Sequence, residues 1–172
     1  MKPEALLSSK ISTLTALLSS LLNQHEEVFN QSAVAFAKAL EQGKTIFWCG
    51  NGGSAAESSH LAVELIGRFK NNRRPLPSIS LNSDTSAITC IANDFGFDEI
   101  FSRQVEGLVE AGDIVIGFTT SGKSKNVLFG LRSAKKMHGK AVLVTGHNDV
   151  SDEFEFDTIL QIGGSETAVI QE

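Results

Sequence analysis

The sequence predicts an α/β protein in which a parallel sheet is covered by helices on both faces, giving a three-layer αβα sandwich. Short apolar runs alternate with helical patterns from residue 46 to the end of the chain. The centres of these runs are apolar on both strand faces, as in parallel strands buried between two helical layers. Two of the runs end directly in turns rich in glycine or hydroxyl groups, at 50–54 and 119–124.

Composition limits the class of protein. The chain has 172 residues, enough for one domain with a substantial core, and its net charge of -5 argues against a nucleic-acid partner. Cys49 and Cys90 form no CxxC pair and lie in apolar runs, so both are expected to be buried, reduced thiols. No stretch approaches the ~20 apolar residues of a membrane span, and no signal peptide is evident. A cytoplasmic protein with no membrane partner is therefore expected.

The first 42 residues are predicted to form a helical arm, and residues 43–172 the α/β domain. Leucines and other apolar residues recur at helical spacing from residue 4 to about 42, with a polar stretch at 23–27. Gly43 follows as a helix stop. Because an arm this apolar more often packs on a partner subunit as well as on its own sheet, we expect an oligomer.

The remaining elements follow in order. Strands are expected at 46–49, 77–81, 113–118, 140–146 and 157–162, and helices at 55–65, 86–92, 98–109, 126–138 and from 166 onward. The last pattern has no stop signal, so a C-terminal helix is expected to be missing from the sequence given. The basic segment 68–75 is either a solvated turn or a source of positive potential that attracts an anionic substrate.

The turn after the first strand, Gly50 to Ser54, has the composition of an anion-binding site. Its glycines let backbone N–H groups approach a ligand, and the N-terminus of the following helix carries about half a positive charge. Ser54 is predicted as the helix N-cap, where its hydroxyl serves either the helix or the ligand. The alternative is an ordinary strand–turn–helix corner, because short motifs have a high false-positive rate.

The turn after the third strand carries four hydroxyl side chains, which are Thr119, Thr120, Ser121 and Ser124. With nearby backbone N–H groups they predict a phosphate cradle, although the Walker pattern is absent and no nucleotide cofactor is expected. The alternative is a cluster that caps the next helix. Both turns lie at carboxyl ends of parallel strands, so they are expected to face one crevice, where open α/β sheets bind ligands.

His60 and Glu64 are four residues apart, so they share one helix face. They can bind a divalent metal together, or Glu64 can act as an acid/base; the alternative is an ordinary surface pair. Glu64 lies about 15 Å beyond Ser54 along the helix. We therefore expect the phosphate at 119–124 and the sugar nearer 51–54, or else Glu64 acts in a neighbouring subunit's pocket. Either arrangement points to a site that spans a subunit interface.

These motifs together resemble the bacterial phosphoheptose isomerases, which are sugar isomerase (SIS) domain proteins. The resemblance is carried by the run from Cys49 to Ala56 with His60 and Glu64, and it continues in preserved order through 76–86, 92–96, 101–106, 120–128 and 167–172. It implies a flavodoxin-like sheet and a homotetramer built around the N-terminal helices. It also implies a phosphorylated seven-carbon sugar as substrate: sedoheptulose 7-phosphate becomes D-glycero-D-manno-heptose 7-phosphate, for lipopolysaccharide core or capsule.

The resemblance implies roles for single residues as well. Glu64 would be the catalytic acid/base, and His60, Glu64 and Gln171 match the ligands of zinc-containing members, with one zinc per subunit. A further catalytic histidine of the family falls beyond residue 172. The implied substrate contacts are Asn51, Gly52, Gly53, Ser54, Asn93, Asp94, Thr119, Thr120, Ser121, Ser124 and Gln171. The chemistry fits, because a ketose–aldose conversion through an enediol needs a positioned base and a stabilised oxyanion.

Two other functions remain open at this point. One is a non-catalytic SIS protein that binds a phosphosugar or bridges the replication initiator DnaA; the DnaA-binding relatives lack the carboxylate at Glu64, so its presence favours the enzyme. The other is an isomerase or epimerase of a different phosphosugar, because hydroxyl loops recognise a phosphate better than the length of the sugar.

Overall fold

The computed structural model describes residues 3–146, 150, 153–163 and 167–170. The strands are β1 (Ile46–Gly50), β2 (Ser78–Ser80), β3 (Ile114–Thr119), β4 (Lys140–Thr145) and β5 (Thr158–Gln161). The helices are α1 (Pro3–Glu41), α2 (Gly53–Ile66), α3 (Thr85–Phe95), α4 (Ser102–Leu108), α5 (Lys125–Lys136) and α6 (Thr167–Ile170), with a 3-10 turn at Phe97–Glu99.

The five strands form one parallel sheet in the order β2-β1-β3-β4-β5. The chain adds β2 on one side of β1 and then crosses to add β3 on the other side. This is the flavodoxin-like order, and its topological switch point lies between β1 and β3. The predicted α/β fold with a parallel, flavodoxin-like sheet is confirmed.

Alternating strand residues fill two separate cores, one on each face of the sheet. Phe47 and Val115 point to the face covered by α4 and α5, together with Leu131 of α5. Their neighbours Ile46 and Ile114 point to the opposite face, which is covered by α2 and the C-terminal part of α1. Burial on both faces explains why the strands are apolar throughout.

Helix α1 is continuous, as predicted, and runs through the polar stretch at 23–27 without a break. Its 39 residues make it about 58 Å long. Its buried residues all lie in its last third and are Ser32, Ala39 and Leu40. The N-terminal half instead leaves a row of large apolar side chains exposed in the single chain, namely Leu6, Leu7, Ile11, Leu18 and Leu22.

The sequence predicts no stretch apolar enough to span a membrane, but helix α1 passes a test for a span by length and composition. Among the described residues, α1 is the one helix long and apolar enough to cross a membrane by length and composition alone, with a mean hydropathy of 1.4 over 18 residues. Serine and threonine interrupt its apolar residues but hardly lower the mean. Core helices of soluble proteins and signal sequences pass the same test, so the finding by itself assigns no membrane.

Three local predictions around α3 are wrong. Helix α3 does not break at Asn93 but continues to Phe95, and it ends where Gly96 adopts a φ of 97°. The predicted helix at 98–109 is divided into the 3-10 turn and α4. Cys90 is exposed rather than buried. The apolar face of α3 packs Ile88 and Ile91 against the core, and that orientation turns Cys90 outward.

Asp113 joins the beginnings of the two central strands. It is 5% exposed. One carboxylate oxygen accepts the N–H of Thr45 at 2.8 Å, and the other accepts the N–H of Glu110 at 2.8 Å. The carboxylate therefore satisfies two backbone donors, one just before β1 and one in the turn before β3.

We expect Asp113→Ala to lower the free energy of unfolding by roughly 2–4 kcal/mol, because both backbone donors lose their acceptor. Asp113→Asn keeps one carbonyl acceptor and should lose about half as much. Urea unfolding followed by circular dichroism measures both values. Equal stability of the wild type and the alanine variant would show that these two hydrogen bonds do not hold the strands.

Candidate active site

The two candidate turns lie side by side at the carboxyl edge of the sheet. Strands β1 and β3 are neighbours, and Gly50 is paired with Phe118. The first turn leads into α2 and the second into α5. Both helix N-termini are therefore directed to the switch point, where their dipoles favour a negatively charged ligand.

The first turn depends on two glycines. A Cβ on Gly50 would lie 2.6 Å from the Cβ of Ser54 and 2.8 Å from its backbone, so only glycine allows α2 to start this close to the strand. Gly52 has a φ of 57° and is the residue that caps α2. The prediction of Ser54 as the N-cap is wrong, because the chain turns two residues earlier and Ser54 lies inside the helix.

In the second turn, three of the four hydroxyl groups lie close together. The Thr119 and Ser124 oxygens are 2.9 Å apart, and the Ser121 oxygen is 3.5 Å from that of Thr119. Ser124 is the N-cap residue of α5, but its side chain makes no capping hydrogen bond. Ser121 accepts the N–H of Lys123 at 3.2 Å. The Ser124 hydroxyl therefore does not cap α5, and the cluster agrees with the prediction of a phosphate cradle.

A cavity of about 210 Å³ opens between α2 and the ends of β3 and β4. It brings together three of the predicted site residues, Ser54, Thr119 and Thr120, with the pocket residues Glu57, Leu61, Phe118, Val144, Thr145, Gly146, Ile162 and Ile170. Hydroxyl groups and one carboxylate are thus combined with apolar walls, the usual composition of a small-molecule site.

His60 and Glu64, the predicted acid/base and metal residues that the structure describes, do not line this cavity. His60 Nε2 and Glu64 Oε1 are 4.0 Å apart, with side chains 60% and 30% exposed. An imidazole and a carboxylate on one helix face can supply two ligands of a zinc ion. The part of the chain that the structure describes holds no group of three or more His, Cys, Asp or Glu side chains arranged for a metal. The third predicted ligand, Gln171, lies outside the described residues.

The remaining predicted contacts that the structure describes do not line the cavity. Asn93 and Asp94 are exposed in the last turn of α3, where the Asn93 amide donates to the Asp94 carboxylate at 2.8 Å. Gly52 and Gly53 are exposed at the start of α2. The side-chain amide of Asn51 is hydrogen-bonded to the side chain of Asn126 in α5. In the single chain these residues do not meet in one pocket with Glu64.

Cys49 comes directly before the glycine turn but is no nucleophile. It is fully buried, and burial raises the pKa of its thiol to about 12. A thiol protonated at neutral pH is unreactive, and this one belongs to the core.

Three supporting residues were missed by sequence reasoning. The Asn82 amide donates to the Gly50 carbonyl at 2.9 Å and accepts its N–H at 3.2 Å, which fixes the end of β1. Arg73 donates to the carbonyls of Glu64 and Leu65 at 2.6 and 2.7 Å. These hydrogen bonds satisfy two backbone acceptors in the last turn of α2. No local pattern marks these contacts. Thr145, by contrast, ends a parallel strand, and the rule that identified Thr119 could have found it.

Comparisons with known proteins agree with this architecture. The SIS domain family model matches residues 11–146. A phosphoheptose isomerase of Campylobacter concisus is 42% identical over 169 residues, covering 92% of this chain and 89% of that protein. The solved phosphoheptose isomerase of Francisella tularensis superposes with a TM-score of 0.93 at 30% identity, over 99% of this chain and 91% of the other. The phosphoheptose isomerase GmhA of Neisseria gonorrhoeae gives a TM-score of 0.87 at 31% identity, with the same coverage. The chain therefore belongs to the SIS domain family and, within it, to the phosphoheptose isomerases.

Proposed function

We propose that this isomerase converts sedoheptulose 7-phosphate to D-glycero-D-manno-heptose 7-phosphate, for the heptose of lipopolysaccharide core or capsule. The observation that carries the proposal is the hydroxyl cluster of Thr119, Ser121 and Ser124 beside the glycine turn of α2. It occurs in a chain that is 42% identical to a protein named phosphoheptose isomerase. Hydroxyl and backbone donors at helix N-termini suit a phosphate monoester.

The substrate is proposed to lie with its phosphate on the 119–124 loop and its sugar towards the 51–54 turn. Thr119 is 3% exposed, and its hydroxyl is held by Ser124, so the donors of the loop are in place before a ligand arrives. Donors that are fixed in advance lower the entropic cost of binding. Ser54, which lines the same cavity, would contact the sugar.

Isomerisation moves one proton from C1 of the ketose to C2 through an enediol. A second proton passes from the C1 hydroxyl to the C2 carbonyl oxygen, so C1 becomes the aldehyde and C2 carries the new hydroxyl. Glu64 is proposed to take the C1 proton and to return one to C2. A zinc ion held by His60, Glu64 and Gln171 would stabilise the developing oxyanion. Because a carboxylate bound to a metal is a weaker base, the two roles of Glu64 compete.

An assembled site would bring the separated residues together. Glu64 lies seven residues beyond the cavity residue Glu57, about 10 Å along α2, too far for one small sugar to touch both easily. The exposed apolar row on α1 is suited to packing against other copies of the chain. We therefore propose a cytoplasmic homotetramer in which Glu64 and Asn93–Asp94 act at subunit interfaces.

A second candidate function is a phosphosugar-binding protein without catalysis. The placement of His60 and Glu64 outside the cavity of the single chain favours it. Turnover of sedoheptulose 7-phosphate by the full-length protein, first with a chelator and then with zinc restored, separates the two. Activity that responds to zinc supports metal-assisted isomerisation, whereas binding without turnover in both conditions supports the binding protein.

Glu64→Gln should abolish turnover while sedoheptulose 7-phosphate binding stays within a few-fold of the wild type, because the amide keeps the shape but cannot accept a proton. Isothermal titration and a product assay measure the two quantities. His60→Gln is the companion variant. If it loses zinc but retains residual turnover, His60 binds the metal and takes no part in proton transfer. Normal turnover by Glu64→Gln would remove Glu64 from the mechanism.

Removal of residues 1–22 should break the oligomer, as measured by light scattering, because it deletes the whole exposed apolar row of α1. A milder variant, Leu18→Glu, places a charge within that row and should weaken association. Ser19→Glu adds the same charge to the adjacent exposed position and should not. A tetramer after the deletion would show that α1 does not hold the subunits together.

A further inference from the structure

The two turns of the candidate site are joined by a reciprocal pair of amides. Asn51 Nδ2 donates to Asn126 Oδ1 at 2.9 Å, and Asn126 Nδ2 donates to Asn51 Oδ1 at 2.8 Å. The two residues are 75 positions apart in the chain. Asn51 is the first residue after β1, and Asn126 is the second residue of α5, directly after the hydroxyl loop. The pair therefore bridges the sugar side and the phosphate side of the proposed site.

The orientation of this pair is set by the backbone. The Val127 N–H donates to Asn126 Oδ1 at 3.0 Å, so a flipped Asn126 amide would direct its NH₂ group at another donor. Asn126 is also 2% exposed and cannot exchange its partners for water without cost. The fixed Asn126 amide in turn orients Asn51, whose own amide is occupied by the pair.

We propose that Asn126 is a positioning residue that acts through Asn51 to set the distance between the 51–54 turn and the 119–124 loop. The effect of this positioning on catalysis rests on the proposed function. A substrate whose phosphate is held on one loop presents its reacting carbons correctly only if the other loop stays at a fixed distance. Misplacement of this kind lowers the rate more than it lowers phosphate affinity.

The amide group is the one suited to this task. A carboxylate in place of the Asn126 amide would still accept from Asn51 and Val127, but it could not donate to Asn51 Oδ1. It would also add a negative charge next to a loop that is proposed to bind a phosphate. An amide pair supplies a donor and an acceptor on each side and leaves the site without that charge.

Three variants test the proposal: Asn126→Ala, Asn126→Asp and the control Ser133→Ala. Ser133 lies two turns further along α5, is 2% exposed and donates to Glu106 Oε1 at 3.0 Å. The control thus removes a part-buried side-chain hydrogen bond from the same helix, away from the site, and the hydrogen bonds between Asn51 and Asn126 are part-buried as well. Because Asn126 is 2% exposed, Asn126→Asp also buries a charge. The free energy of unfolding of each variant is therefore measured by urea denaturation beside hydrogen exchange and kcat, so that a loss of stability is distinguished from a loss of positioning.

The first measurement is hydrogen exchange of peptides covering 51–54, which needs no substrate. Exchange there should rise about tenfold or more in both Asn126 variants and stay unchanged in Ser133→Ala, because the loss of buried hydrogen bonds frees the turn. The second is a kinetic comparison. Asn126→Ala should lower kcat about tenfold or more while the affinity for inorganic phosphate stays within about threefold.

A double variant identifies the partner. Asn51→Ala and Asn126→Ala remove the same pair, so exchange and kcat in the combined variant should be no worse than in the poorer single variant. Additive effects, unchanged exchange in the Asn126 variants, or an equal loss in Ser133→Ala would each overturn the proposal. If the wild type binds phosphate but turns over no sugar phosphate, the proposed function fails, and hydrogen exchange still decides whether Asn126 positions the turn.

Discussion

The pairing of β1 with β3 is the constraint on which the site depends. Their register runs from Ile46 opposite Ile114 to Gly50 opposite Phe118, so both strands end at the same level of the sheet. Asp113 holds the beginnings of the two strands, and Asn82 holds the end of β1. The glycine turn and the hydroxyl loop are neighbours only because this register is kept, and a slip of one residue would also reverse the two cores.

Close packing of helices on these strands is the second requirement. A Cβ on Gly117 of β3 would lie 2.6 Å from Val127 of α5, and one on Gly146 would lie 2.9 Å from the Thr120 carbonyl. A Cβ on Gly50 would likewise lie 2.6 Å from the Cβ of Ser54 in α2. None of these three glycines has a positive φ, so they are needed for the close approach of backbone and helices rather than for backbone freedom. That approach brings two helix N-termini to one point.

The sequence predicts the fold far better than it predicts the assembled site. Strand positions and the parallel sheet follow from apolar runs such as 114–118, and the two turns follow from their residue types and their position after strands. The exposure of Cys90 depends on which way α3 is turned by its packing. The N-cap of α2 and the length of α3 depend instead on where the chain turns, which is at Gly52 and Gly96. The Asn51–Asn126 pair joins positions 75 residues apart, and no local pattern contains that information.

The charge of the cavity bears on how the site is completed. Among its described lining residues, Glu57 carries the only ionisable side chain, and it is an acid. A phosphate placed there would rely on hydroxyls, backbone N–H groups and two helix dipoles, because the lining supplies no cation. Arg73 is already engaged with the carbonyls at the end of α2. The nearest cations along the chain are Lys123, within the 119–124 loop, and Lys125, at the start of α5, and neither lines the cavity. In the proposed homotetramer, a second subunit would have to bring Glu64 within reach of the sugar. The exposed apolar row on α1 and the position of Glu64 outside the cavity thus support the same proposed arrangement, in which assembly and substrate binding are coupled.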